Sequence, residues 1–398
     1  MRTGRPALVV ALTTAASLFG DTLLYTALPV NASRLGLDGL AVGLILSINR
    51  WVRLATNSVA ARLYERLPAG LLVICALALA VLTSALYALP SLLLLLFGAR
   101  LVWGFCWSVL RQGSYLAAID DAPLHAGRRL GEMRAVFGVG YLAGAAYAPF
   151  AVEQFGWSAA CLGAALLTLV GGAGPALIAA PWRRAIRSVD QAAERLSVWN
   201  VELVALFLIG AVQLSLSAGF VIVAGGFRIA SLFPQGAPVF GAIVPASFVA
   251  GAFVLSQRVA QVGWSTFAGR LAERAAGRAF FVAAALAVLG SLTLATTTEA
   301  WVLVGAGTVV FFAAISVGIA VEVVVARRAP AHERARVLAA YNTWADLGAA
   351  FGALAGGALQ VIGPQAALWI CAVLMSLTVP LWLFAAHVGR WSAMGRPA

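Results

Sequence analysis

Charged side chains are scarce in this chain, and one common type is missing altogether. Only 11% of the 398 residues are charged, against about 25% in soluble proteins, whereas 62% are hydrophobic. This composition excludes an ordinary soluble domain and predicts an integral membrane protein. Lysine is absent, so all 27 basic residues are arginine. The net charge of +12 does not indicate a nucleic-acid partner, because the arginines lie mostly in short segments between apolar runs.

Residues that build metal and redox sites are few and scattered. Four cysteines each stand alone inside an apolar run, at Cys75, Cys106, Cys161 and Cys371. Three histidines lie in predicted loops or near the end of an apolar run, at His125, His332 and His387. No spacing matches a zinc, redox or catalytic motif, and no phosphate-binding loop occurs. We therefore expect no metal, cofactor or catalytic residue, which argues against a membrane enzyme.

Long apolar runs fill most of the sequence. A bilayer-spanning helix needs about 20 apolar residues, and twelve runs are long enough. They cover approximately 7–30, 39–61, 68–89, 91–111, 133–153, 157–180, 202–226, 237–262, 279–298, 300–325, 336–361 and 365–388. Because the runs are continuously apolar and far longer than barrel strands, they predict an all-α fold. The first run is too long for the core of a signal peptide, so we expect it to be retained.

The placement of arginine predicts the orientation. Nearly all arginines outside the spans lie at the two ends of the chain or after even-numbered spans, and the opposite loops hold only Arg34 and Arg228. By the positive-inside rule both termini are expected in the cytoplasm. Abundant arginine and alanine without lysine are typical of a GC-rich bacterial genome, so the expected location is a bacterial cytoplasmic membrane.

One pentapeptide pattern occurs twice, as Arg62–Arg66 and as Arg270–Arg274, displaced by 208 residues. The same displacement aligns Arg50 with Arg258. Both copies are predicted to be short charged loops between apolar runs. An internal repeat of this length indicates two similar halves, the arrangement in which transporters bind a solute near the bilayer midplane.

The expected division is a first bundle of six helices over residues 1–180, a cytoplasmic linker over 181–200 and a second bundle over 201–398. The connector is too short to be a soluble signalling or binding domain, which argues against a receptor or scaffold. Transport is therefore the function class that the sequence favours, and we expect a monomer.

The second copy of the repeat carries a family resemblance. Gly269-Arg270-Leu271-Ala272-Glu273-Arg274, followed by Gly277-Arg278, is similar to the loop signature G-x-L-A-D-R-x-G-R-R of the major facilitator superfamily. Glutamate replaces the usual aspartate in both copies, and the first copy lacks both glycines. Arg100 and Gly104 resemble the Arg-x-x-x-Gly pattern of proton-coupled members, whereas Ala145 replaces the proline that drug antiporters carry in span 5.

The resemblance implies twelve transmembrane helices in two pseudo-symmetric six-helix bundles and a transporter of the drug:proton antiporter type. It also implies that the two pentapeptides bias which side of the carrier is open. The residues concerned are Arg62, Glu65, Arg66, Gly269, Arg270, Glu273 and Arg274. Glu322, near the end of span 10, is expected to pair with Arg270 or Arg274.

Six charged residues stand out at bilayer depth in the predicted spans: Asp21, Arg50, Arg53, Arg100, Arg258 and Asp346. A charge at bilayer depth costs about 2.5–3.5 kcal/mol on insertion scales, so each is a candidate for function. Asp21 and Arg100 lie at similar depth in one half, and we expect either a proton-coupling pair or a permanent ion pair. The resemblance places spans 2 and 11 side by side, so Asp346 is expected to pair with Arg53 or Arg50. That pair would either be an interdomain gate, which forms in one carrier state and breaks in another, or a static bridge that only holds the helices together. As a gate, Asp346 would also take part in proton coupling.

Two descriptions of the substrate remain open. Arg50 and Arg258 are equivalent in the two halves, and guanidinium groups suit planar anions; Arg53 and Asn57 share a helix face with Arg50. Trp103 and Tyr141, among other mid-span aromatics, favour an amphipathic, drug-like solute. The first interpretation is therefore proton-coupled export of a small organic solute. The alternative is a porter that takes up or exchanges a small anionic or zwitterionic metabolite.

Overall fold

The computed structural model describes residues 6–90, 92–121, 126–182, 201–328 and 334–394. The first half contains α1 (Pro6–Ala16), α2 (Leu18–Asn31), α3 (Gly39–Arg66), α4 (Ala69–Leu86), α5 (Leu93–Asp121) and α6 (Ala126–Ala179). The second half contains α7 (Val201–Ser215), α8 (Val221–Leu232), α9 (Ala246–Val259), α10 (Ser265–Thr296), α11 (Ala300–Arg328), α12 (Arg334–Ala358), α13 (Pro364–Ser376) and α14 (Thr378–Met394). The linker predicted at 181–200 lies outside the described residues except for its first two.

Twelve spans follow from these helices. Within the described ranges, nine helical stretches are long and apolar enough to cross a membrane. Two of them join a pair of helices across a kink, α6 at Gly156 and the α9–α10 stretch at Ala275. Gly156 adopts φ 77°, a left-handed conformation that glycine reaches without strain. The charged helix α3, 28 residues long, completes the set of twelve and confirms the predicted count.

The two repeated pentapeptides are helical, so the prediction that they are loops is wrong. Arg62–Arg66 forms the last turn of α3, and Arg270–Arg274 lies in α10 just before the kink at Ala275. Arginine, leucine, alanine and glutamate are strong helix formers, so their charge does not interrupt the helix. The chain breaks instead at Leu67, which adopts an extended conformation before Pro68.

The start of span 8 also differs from the prediction of a helix over 237–262. Strands β1 (Ala237–Val239) and β2 (Ala242–Val244) form an antiparallel hairpin, and α9 begins only after Pro245. The turn between the strands places Phe240 and Gly241 at positive φ, as two-residue hairpin turns require. Proline and glycine at the ends of this apolar run prevent a helix there. Beyond Val259 a π-helical turn, Ala260–Trp264, carries the span into α10.

The two halves are tightly packed at the end of the molecule that carries the β-hairpin, which we call the hairpin end. A Cβ atom at Gly43 of α3 would lie 2.8 Å from the carbonyl oxygen of Leu354 in α12, so only glycine permits this approach. Ser247 of α9 also donates a hydrogen bond to the carboxylate of Glu153 in α6. We call the opposite end, where α1 begins and α3 ends, the terminal end.

Arg228 was assigned to an external loop, and that assignment is wrong. It lies within α8, is buried, and donates hydrogen bonds of 3.4 Å to the carbonyl oxygens of Ala295 and Thr297. These carbonyls belong to the end of α10, where a helix leaves its last carbonyl groups without intrahelical partners. Arg228 therefore caps a neighbouring helix.

Candidate central binding site

A small polar cavity of about 60 Å³ lies between the two halves. It is lined by Asp21, Tyr25, Asn49, Arg50, Arg53, Trp103, Trp107, Tyr141 and Arg258. The structure thus brings together most of the charged and aromatic residues that the sequence predicted for a central site. Arg258 comes from the second half and the other eight residues come from the first.

Arg50 connects the two halves across this cavity. Its Nε donates to the hydroxyl of Tyr25 at 3.0 Å, and its guanidinium carbon lies 5.1 Å from the centre of the same ring. Its Nη2 donates at 2.8 Å to the carbonyl oxygen of Ala218. Ala218 belongs to a π-helical turn, Leu216–Phe220, and such turns often occur at functional sites. Nη1 of Arg50 is buried without a hydrogen-bond partner among the described residues.

Arg258 is held in a different way. Its guanidinium carbon lies 4.3 Å from the centre of the Tyr141 ring, close enough for a cation–π interaction. Nη1 donates to Oε1 of Gln261 at 3.1 Å, whereas Nε is buried without a partner in the described chain. The neighbouring Gln257 donates to the carbonyl oxygen of Ser217 at 2.8 Å, which fixes α9 against the π-helical turn of span 7.

Asp21 and Arg100 form a close ion pair at the edge of the cavity. Nη1 of Arg100 lies 2.5 Å from Oδ1 of Asp21, and Nε donates to the carbonyl oxygen of Ile45 at 2.9 Å. The Arg100 side chain is fully buried. Asp21 lies in the first turn of α2, which continues from α1 with only Ser17 between them. The structure confirms the predicted pairing, and the coupling role of the pair stays a prediction.

A second ion cluster joins the halves on the side of the cavity toward the terminal end. Oδ1 of Asp346 lies 3.9 Å from Nη2 of Arg53, and Oδ2 lies 3.5 Å from Nη1 of Arg111. The Arg53–Asp346 pairing was predicted, whereas Arg111 was not named as a partner. Arg111 also donates to Oδ1 of Asn57 at 3.3 Å. Asn57 therefore orients Arg111 and does not line the cavity, so the structure does not support its predicted contact with substrate.

The role of Arg111 had a signal in the sequence. Arg100, Trp103, Trp107 and Arg111 follow an i, i+3, i+7, i+11 spacing, which places them on one face of α5. Arg100 and Trp103 were singled out separately from the sequence, and the stripe that unites all four residues was not noticed. Read together, they predict that this face of span 4 lines the interior.

The predicted partner of Glu322 is wrong. Among the described residues Glu322 forms no ion pair with Arg270 or Arg274, and its side chain is exposed. Instead, Nη2 of Arg327 donates at 2.6 Å to the backbone carbonyl of Glu273, next to the kink in α10. This hydrogen bond could not be predicted from the sequence, because its acceptor is a backbone carbonyl and the kink that places it near Arg327 has no sequence marker. The conformational role of the seven repeat residues stays a prediction.

Two bundles of six helices around a polar cavity are the architecture of a secondary transporter. The sequence matches the model of the Major Facilitator Superfamily over residues 10–353, and the chain therefore belongs to that family. Members of this family transport small solutes and are not enzymes. Within the described residues, no group of three or more His, Cys, Asp or Glu could hold a metal ion.

Solved structures show the same fold at low sequence identity. The nucleoside transporter NupG is 14% identical, with a TM-score of 0.70, over 98% of this chain and 99% of that chain. A bacterial homologue of the human lysosomal transporter Spinster, inward-facing and occupied, is 13% identical with a TM-score of 0.76, over 96% of each chain. The human organic anion transporter MFSD10 (TETRAN) is 17% identical with a TM-score of 0.61, over 96% and 100%. No curated protein matches the sequence.

Proposed function

We propose that this protein transports a small anionic solute, bound between Arg50 and Arg258. One observation carries the proposal: the central cavity holds more positive charge than the protein neutralises. Arg50 and Arg258 form no ion pair with any carboxylate in the described chain, and each retains a buried N–H group without a partner. A buried charge normally requires a partner, and a bound anion would provide it.

The two carboxylates nearest to the cavity are already engaged. Asp21 is held by Arg100 at 2.5 Å, and Asp346 is shared by Arg53 and Arg111. These two carboxylates engage three arginines, Arg53, Arg100 and Arg111, and they leave Arg50 and Arg258 without a carboxylate partner. This arrangement favours an anion over the amphipathic drug-like solute that the aromatic residues alone would indicate.

The geometry limits which part of the solute can bind. A cavity of about 60 Å³ admits only a compact group, such as a carboxylate or another small oxyanion, in this conformation. Guanidinium groups hold such groups through forked hydrogen bonds. The rings of Tyr25 and Tyr141 lie against the two arginines and limit their freedom to turn away. One arginine from each half would thus close on the anion as the bundles rock around the site.

The test combines binding with transport. A panel of small organic anions, with neutral and cationic analogues of similar size, is screened by thermal shift and then by counterflow in proteoliposomes. We expect at least one anion to stabilise the protein, and Arg50→Gln or Arg258→Gln to abolish that shift and reduce counterflow at least tenfold. Arg34→Gln, at the exposed hairpin end, is the matched control and should behave as wild type. Equal stabilisation of Arg258→Gln and wild type would contradict the proposal.

Proton-coupled export is a second candidate, favoured by the position of Asp21. This carboxylate lines the same cavity and is 8% exposed, so a proton could reach it from a solvated cavity. Protonation would weaken its attraction to Arg100 and change the relative free energy of the two carrier states. Asp21→Asn should abolish uphill transport driven by a pH gradient in proteoliposomes and retain downhill exchange. Undiminished accumulation by this variant would exclude Asp21 as the coupling site.

We also propose a bacterial cytoplasmic membrane as the location, with both termini in the cytoplasm. The support is the clustering of arginine at the terminal end, which includes Arg66 and Arg274. The two bundles are taken as residues 1–180 and 201–398, and the carrier as a monomer. Cysteines introduced at Arg66 and Arg274 should resist an impermeant label in intact cells, whereas one at Arg34 should react. Strong labelling of the cysteine at position 274 in intact cells would indicate the opposite orientation.

A further inference from the structure

A second cavity, which shares no lining residue with the polar site, opens on the outer surface of the second half. It has a volume of about 430 Å³ and an almost entirely apolar wall. The wall is formed by Trp264, Leu271, Arg278, Ala279, Val282, Ala283, Leu286, Thr308, Val309, Phe312, Ala313 and Ser316. We call this cavity the lateral groove.

Local backbone breaks form the lateral groove. Ala275 leaves the helical conformation and separates the two limbs of α10, which border the groove together with α11. At the inner wall, Trp264 at the end of the π-helical turn donates its Nε1 proton to Oγ of Ser316 at 2.8 Å. Its ring lies 5.3 Å from the ring of Phe312, between centres. The wall is thus held in place by a hydrogen bond and an aromatic contact.

The lateral groove faces the membrane. Leu271, Val282, Leu286 and Val309 remain 40–62% exposed although all are large and apolar. In a multi-pass membrane protein such a surface is surrounded by lipid acyl chains rather than by water. A groove of this kind accepts an acyl chain through van der Waals packing, because lipid tails and apolar side chains are equally apolar and the chain is already out of water.

One charged residue marks the end of the groove. Arg278 is exposed and forms no hydrogen bond or ion pair with any described residue. It lies one turn beyond the kink, at the terminal end, where Arg274, Arg327 and Arg328 are also exposed. Clusters of arginine at the end of a membrane-facing groove favour anionic lipid headgroups, since each basic residue near a membrane surface contributes about 1 kcal/mol.

We propose that the lateral groove binds one anionic phospholipid, with an acyl chain along the apolar wall and its phosphate at Arg278. Apolar lining, membrane exposure and a free guanidinium at headgroup depth together select this ligand. The bound chain would also support the π-helical turn Ala260–Trp264, which directly follows Arg258 of the central site. Lipid binding itself does not depend on the identity of the transported solute.

The test counts bound lipid directly. The full-length protein in detergent is incubated with phosphatidylglycerol or with phosphatidylcholine of the same chain length, and retained lipid is measured by native mass spectrometry. Leu286→Trp fills the groove, and Arg278→Gln removes the charge at its end. Two matched controls lie in the first half: Leu82→Trp on the exposed face of α4, and Arg66→Gln in the last turn of α3.

We expect wild type and both controls to retain one phosphatidylglycerol and to release phosphatidylcholine at least fivefold more readily. Leu286→Trp should lose the lipid, and Arg278→Gln should lose the preference between headgroups. Thermal shift gives an independent reading: phosphatidylglycerol should stabilise wild type and inorganic phosphate should not. Retention by Leu286→Trp at the wild-type level would overturn the site. Equal retention of both lipids by wild type would overturn the anionic headgroup, and stabilisation by phosphate alone would identify a free-anion site instead.

Discussion

Arg50 and Arg258 occupy equivalent positions in the two halves, yet their surroundings differ. The first half surrounds Arg50 with charge, since Asp21, Arg53 and Arg100 all lie nearby. In the second half, the positions equivalent to Arg53 and Arg100 are Gln261 and Thr308, neither of which is charged. The two halves therefore share a helical scaffold but not an interior chemistry.

The second half contributes a different kind of feature. Both π-helical turns, Leu216–Phe220 and Ala260–Trp264, lie in its spans, and the first supplies a backbone carbonyl to Arg50. Around the cavity, most of the charged side chains come from the first half, whereas both of these π-helical turns come from the second. The two halves of this duplicated fold thus contribute different features to the central site. Equivalent substitutions in the two halves should therefore have unequal effects.

The largest effect is expected at the buried pair of the first half. Asp21→Asn leaves the fully buried Arg100 without a carboxylate, and breaking such a pair costs about 3–5 kcal/mol of unfolding free energy. The double variant with Arg100→Met should be more stable than Asp21→Asn alone, because no uncompensated charge remains. Ile229→Val, at a fully buried apolar position of α8 in the second half, should cost only about 0.5–1.5 kcal/mol. Thermal unfolding in detergent measures all three, and a double variant less stable than the single one would contradict this account.

A smaller effect is expected where the halves meet at Asp346. Its side chain and those of Arg53 and Arg111 are 11–26% exposed, and partly solvated bridges contribute about 1 kcal/mol or less. Asp346→Asn should therefore reduce closure at the terminal end by up to about fivefold. The measurement is crosslinking between cysteines at Ser58 of α3 and Asn342 of α12, in a background without the four native cysteines. Asp346→Glu is the control, and unchanged crosslinking in Asp346→Asn would indicate a static bridge.

The smallest effect on stability is expected at the repeated pentapeptides. Glu65 and Glu273 are exposed, and their carboxylates form no ion pair with any described residue. Alanine at either position should change the unfolding free energy by less than about 0.5 kcal/mol. Transport should nevertheless slow in both variants while the protein stays in the membrane, because these turns bias which side is open. Glu299→Ala, at the hairpin end, is the control. Transport at the wild-type rate by both variants would indicate that the repeated pentapeptides reflect gene duplication and have no role in transport.

Much of this arrangement could be predicted because hydrocarbon restricts where charge can lie. Asp21 and Arg100 were paired from depth alone, and Arg53 was matched with Asp346 once the resemblance placed spans 2 and 11 together. The pentapeptides were misassigned because clustered charge was taken for a loop, although their residues favour helix. Neither π-helical turn could be predicted, since the extra residue is accommodated by tertiary packing and no propensity marks it. The hairpin before α9 had a readable signal in Pro238, Gly241 and Pro245.

The contact between Arg50 and the carbonyl of Ala218 has a consequence for genetics. Its acceptor is a peptide oxygen, which every amino acid carries, so no side-chain replacement at Ala218 deletes it. An alanine or cysteine scan through span 7 would pass this position without a signal, although it connects the two halves. Only a change in the backbone, such as the loss of one residue from Leu216–Phe220, would reveal the connection. A position can thus tolerate the small side chains of such a scan while its backbone carbonyl remains essential.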